Sequence, residues 1–196
     1  MGRIRSLIAT WALSAGSIAA LELSPLEAGS TAQLTALGNE ALMQGRYETA
    51  IEHYRKALTA DKTYFQAAFN LALAYQQLDR LDEARRWYEE AGKLANDHPE
   101  VHCNLGVIAF RAGDHAKAAA HFQDAARLAA GRPSDAADFW FNAGTARERL
   151  QEWREAQRAY EEALALSDAH FGAHYNLGTL YLGALADQAG AQAKAA

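Results

Sequence analysis

Four stretches set the pattern of apolar and polar positions along the chain: FNLALAY at Phe69–Tyr75, CNLGVIA at Cys103–Ala109, FNAGTAR at Phe141–Arg147 and YNLGTLY at Tyr175–Tyr181. In each, apolar or small residues return at spacings of three and four, which places them on one face of a helix. The asparagines Asn70, Asn104, Asn142 and Asn176 stand 34, 38 and 34 residues apart. A fixed period between about 20 and 50 residues predicts a solenoid, in which each unit is too small to bury its own apolar face and stacks on its neighbours.

The rest of the unit keeps the same period. Counting from Thr31, the eighth position holds Gly38, Ala72, Gly106, Gly144 and Gly178. The twentieth holds Ala50, Ala84, Ala118 and Ala156, and the twenty-seventh Ala57, Ala91, Ala125 and Ala163. Such small residues let two helices approach closely, while Tyr54, Tyr88, Phe122 and Tyr160 at the twenty-fourth position fill the space beside them. These rings therefore read as core and not as a cofactor box.

The pattern resembles the tetratricopeptide repeat (TPR), from Thr31 to about Leu182, as four full units and the first helix of a fifth. The resemblance implies an all-α fold: antiparallel helix pairs stacked into a right-handed α-solenoid whose concave side is lined by first helices. Residues 1–19 are then a signal peptide or anchor, 20–30 a linker, 31–182 the solenoid and 183–196 a weakly structured tail. Two departures carry local expectations. Arg147 replaces the usual ring at the eleventh position, which predicts an opened or shifted fourth unit. Pro133 to Ala136 read as an insertion that lengthens the turn before that unit.

Composition narrows the function. The formal charge of −5 comes from mixed acidic and basic residues without a basic cluster, which argues against nucleic acid as a partner. Cys103 is the single cysteine, so neither an internal disulfide nor a multi-cysteine metal or redox motif is available. At the N-terminus, MGRIR precedes an uncharged run from Leu7 to Leu21, the arrangement of a signal peptide. As a helix this run reaches only roughly 22 Å, short of a hydrocarbon core of ~30 Å. Cleavage before Ala20 and a periplasmic or secreted chain are the leading expectation; an uncleaved N-terminal membrane anchor is the alternative.

No phosphate-cradling glycine loop or nucleophile elbow is found, so the reading is a binding protein and not an enzyme, with no cofactor. His98 and His102, and His170 and His174, are each four apart, a spacing that also fits a shared metal on one helix face. No carboxylate or cysteine completes either set in the sequence, and a metal-binding or enzymatic protein built on these pairs stays the second alternative.

By resemblance, the concave groove includes Phe69, Asn70, Asn104, Arg111, Phe141, Asn142, Arg149, Tyr175 and Asn176. A row of carboxamides both donates and accepts hydrogen bonds, and so suits the main chain of an extended peptide, with the rings adding apolar contact. The same asparagines can equally serve packing. Carboxylate-clamp TPRs resemble this sequence at Asn39 and Asn70, but Thr35, Glu100 and Asn104 stand where a clamp needs basic residues. The expected function is a scaffold or adaptor that binds a protein or peptide partner, in assembly of an envelope complex, or a membrane-tethered version of it.

Overall fold

A computed structural model describes residues 30–183. The N-terminal segment and the tail after Gly183, with the expectations attached to them, lie outside these residues. The described chain is helical: α1 (Thr31–Met43), α2 (Tyr47–Ala60), α3 (Phe65–Gln77), α4 (Leu81–Leu94), α5 (Pro99–Arg111), α6 (His115–Leu128), α7 (Pro133–Arg149), α8 (Trp153–Leu166) and α9 (Phe171–Leu182). No strand occurs among the described residues, as the all-α expectation requires. The helices fall into two compact units that divide between Ala95 and Asn96.

One local device reverses the chain within each helix pair. Gly45, Asp79, Gly113 and Gln151, all at the fifteenth position, take left-handed φ values of 71°, 61°, 80° and 60°. The next amide then donates to a carbonyl five residues back: Arg46 to Ala41 at 2.8 Å, Arg80 to Tyr75 at 3.0 Å, Asp114 to Ala109 at 2.9 Å and Glu152 to Arg147 at 3.1 Å. This closes the first helix with a Schellman turn, satisfies a carbonyl that the helix end leaves open, and sends the second helix back along the first.

In the N-terminal unit, α1 packs on α2, α2 on α3 and α3 on α4. Tyr54, Leu71, Tyr75 and Tyr88 are its largest fully buried side chains, set among Ala50, Ala57, Ala84 and Ala91, all without exposure. Each large side chain taken out of water contributes roughly 1.5–3 kcal/mol, and the alanines allow that by bringing the helix axes together.

The C-terminal unit repeats the scheme in α5 to α9, around one cluster centred on Phe122 and Phe139 and another on Tyr160. Cys103 is buried, as a small hydrophobe. Two expectations are corrected here. Residues 133–136 do not lengthen a turn: Pro133 opens α7, which runs 17 residues where α1, α3 and α5 run 13. Proline suits the first helical turn, because its missing N–H would have no partner there anyway. Nor is the fourth pair opened at Arg147. Tyr160 and Ala156 between α7 and α8 are fully buried, and the Arg147 guanidinium donates to Glu152 at 2.5 Å across the turn.

Candidate functional site

The candidate residues lie on first helices in both units. In the N-terminal unit, Phe69 and Asn70 on α3 are half-buried. Phe69 meets the edge of Tyr88 at a ring-centroid distance of 5.4 Å and stacks on Phe65 at 5.8 Å. The Asn70 amide donates to Asn39 Oδ1 on α1 at 2.8 Å, and the same oxygen accepts the Tyr54 hydroxyl at 2.8 Å. Asn39 thereby joins three helices at one atom. Burial raises the Tyr54 phenol far above its ordinary range, so the hydroxyl keeps its proton and stays a donor.

An analogous node stands in the C-terminal unit. The Tyr160 hydroxyl donates to Glu148 Oε2 on α7 at 2.7 Å and accepts from the Asn176 amide on α9 at 3.1 Å. Burial again raises the phenol, with Glu148 adding to the effect. Phe141 lies over Tyr160 at 5.9 Å and His170 at 5.0 Å. His170 is itself anchored twice, accepting from the Ala173 amide at Nδ1 and pairing with Asp138 through Nε2, both at 3.0 Å.

The other asparagines behave differently. Asn104 donates to the Glu100 carbonyl of its own helix at 2.9 Å, and Asn142 is only 5% exposed. Phe122, at the position of Tyr54 and Tyr160, has no hydroxyl to offer Asn142. Arg111 and Arg149 are exposed at the last turns of α5 and α7, and Tyr175 is 63% exposed on α9. The sequence row of asparagines is thus chemically uneven: two amides tie helices together, one turns to its own backbone and one is buried. Each bond named takes one of an amide's two hydrogens, which leaves capacity for a further partner.

Asn39 and Glu148 join the candidate surface, held by the fully buried rings of Tyr54 and Tyr160, although the sixth-position period does not reach them. For Asn39 the sequence signals are its resemblance to a carboxylate-clamp position and its place as a polar residue beside the glycine of position eight. A separate cleft of about 530 Å³ on the N-terminal unit, lined by Leu58, Ala68, Trp87 and Leu94 with Arg55 and Lys62, carried no sequence signal.

The histidine pairs do not converge. His98 faces Glu100 at 3.7 Å and His102 lies 4.0 Å from Asp124, whereas His170 pairs with Asp138 and His174 with the Asp168 carbonyl at 2.7 Å. Among the described residues no group of three or more His, Cys, Asp or Glu is placed to hold a metal ion. Nor is any described helix long and apolar enough to cross a membrane.

Comparison with known proteins places this geometry. Family models for the tetratricopeptide repeat match residues 41–105 and 97–169. Protein O-mannosyl-transferase TMTC2 of Mus musculus is 36% identical over 81 residues, which are 40% of this chain. The Homo sapiens protein of that name is 32% identical over 101 residues, 50% of this chain. The chain spans only 10% and 12% of the length of these curated relatives. A crystal structure of MamA protein superposes with a TM-score of 0.70 at 22% identity, covering 78% of this chain and 81% of that one. YrrB, described as a TPR protein with an unusual peptide-binding site, gives 0.68 at 20% identity, covering 80% and 79%. At these identities the structural likeness establishes the fold.

Proposed function

The chain belongs to the tetratricopeptide-repeat family and is a protein–protein interaction scaffold, and from that premise we propose that its first helices bind an extended peptide segment of a partner protein during assembly of an envelope complex. The observation that carries this reading is the fixing of the amides. Asn70 and Asn176 are held by hydrogen bonds to neighbouring helices beside the rings of Phe69 and Phe141, so little side-chain entropy is lost when a peptide main chain arrives. Arg111 and Arg149 add positive charge at the ends of α5 and α7, which suits a segment with acidic residues.

Export rests on MGRIR and the uncharged run behind it, and the peptide-binding description of YrrB supports the class of partner. In the second reading the same apolar run stays attached and the scaffold works at a membrane. Intact-mass measurement of the mature chain separates them: a chain beginning at Ala20 supports export, whereas the full mass supports the tether.

Pull-down from the source organism tests the binding role, with the Asn104→Ala/Arg111→Glu/Arg149→Glu variant beside the parent. The parent is expected to enrich specific proteins, and the variant to lose affinity for them at least tenfold, at ~1.4 kcal/mol per factor of ten, with unchanged circular dichroism. Equal capture by parent and variant would refute the assigned surface.

A further inference from the structure

At Gly38, Gly106 and Gly144, the eighth position of a first helix receives the twenty-fourth-position ring of its own pair: Tyr54, Phe122 and Tyr160. At Gly178 of α9 no atom of the described residues lies within 4 Å of where a Cβ would stand. Around that empty seat Phe171, His174, Tyr175, Thr179 and Leu182 form one helical stripe, all exposed; Phe171 is 81% and Leu182 87% exposed. The opposite stripe, through Ala173 and Leu180, is buried against α8. α9 contains no Asp, Glu, Lys or Arg.

The positions of the stripe are spaced the same from either end. Laid antiparallel on a second copy, it sets Tyr175 opposite Gly178, Phe171 opposite Leu182 and His174 opposite Thr179, each contact made twice. We propose that α9 pairs antiparallel with α9 of a second copy of this chain, the Tyr175 ring of each protomer entering the Gly178 seat of the other. It is the ring-on-glycine contact that the chain makes inside three of its own helix pairs, made here between chains.

A two-fold pairing needs a self-complementary patch, and a helix without formal charges brings no like charges together. The glycine lets the axes approach to the ~8–10 Å of packed helices. Residues 184–196 are a poorer occupant: in the repeat register Lys194 falls where the ring belongs, and the segment contains no aromatic residue. The proposal shares α9 with the peptide reading, which uses Tyr175 and Asn176, but it rests on the open seat at Gly178 and the exposed stripe and not on the fixed amides.

Sedimentation of the full chain over a wide concentration range is expected to show mass rising from 21.3 kDa toward twice that value. Tyr175→Glu and Gly178→Glu should each weaken self-association at least tenfold without loss of helix, because both positions are exposed. The register is read by mixing His174→Cys with Thr179→Cys under mild oxidation. The mixed pair should cross-link in preference to either variant with itself, the native Cys103 being buried. A parent that stays monomeric, association that persists in Tyr175→Glu, or cross-linking favouring like with like overturns the proposal. Dimerisation that appears only after removal of 184–196 identifies the tail as the occupant and overturns it equally.

Discussion

Tyr160 lies across Gly144 so closely that a Cβ on the glycine would stand 2.5 Å from Tyr160 Cε1. Side-chain carbons do not approach that far, so the ring and the absent side chain share one space. Gly144→Ala is expected to destabilise the protein by about 1–3 kcal/mol, read from urea unfolding, because a fully buried ring must shift. In a Tyr160→Ala background the same substitution should cost much less. Equal costs in the two backgrounds would dissociate the residues.

Asn39 gives a second test, since one oxygen accepts from both Tyr54 and Asn70. Asn39→Ala leaves the buried Tyr54 hydroxyl without that acceptor and should cost about 1–3 kcal/mol. Asn104→Ala, which breaks only a bond to its own helix, should cost clearly less. Comparable losses in thermal unfolding would contradict the node.

Gln151 stands in the left-handed turn position that Gly45 and Gly113 fill with glycine. Left-handed backbone costs an ordinary residue about 1–2 kcal/mol, while glycine loses roughly 0.5–1 kcal/mol more chain entropy on folding. The first effect wins, so Gln151→Gly should raise stability by about 0.5–1 kcal/mol. A lower melting temperature would show that the Gln151 side chain makes contributions beyond the turn.

Burial pushes the Cys103 thiol up to about 12, with Glu100 and Asp138 adding to it, and burial also raises Tyr54 and Tyr160. The folded state then holds these protons more tightly than the unfolded chain, whose thiol and phenol titrate near about 8.5 and 10. Their stabilisation is complete below those values and is lost as pH rises toward the folded ones. Urea midpoints should be insensitive to these groups at neutral pH and fall above about pH 9. Cys103 should resist thiol reagents until the protein unfolds; rapid labelling of the native chain would show otherwise.

The helical architecture was legible because four asparagines, five small residues at position eight and the rings at position twenty-four repeat with one period. Packing of identical units makes composition at a position a direct report of its neighbours. Pro133 misled for the opposite reason: a proline marks either a turn or a first helical residue, and only the positions of its neighbours decide which. The asparagine partners were hidden as well. Asn70 and Asn176 share a register with Asn104 and Asn142, yet their bonds depend on which acceptor the preceding pair supplies: Asn39 Oδ1 for Asn70 and the Tyr160 hydroxyl for Asn176, whereas Phe122 has none for Asn142.

The longest side-chain hydrogen bonds named above join residues about one repeat apart: Asn70 with Asn39 across 31 positions, and His170 with Asp138 across 32. Such short reach has a consequence for biosynthesis. Within each unit a repeat has its partners once the next one has been made, so a growing unit can complete these contacts in order as it leaves the ribosome, with no early segment of it waiting for a distant late one.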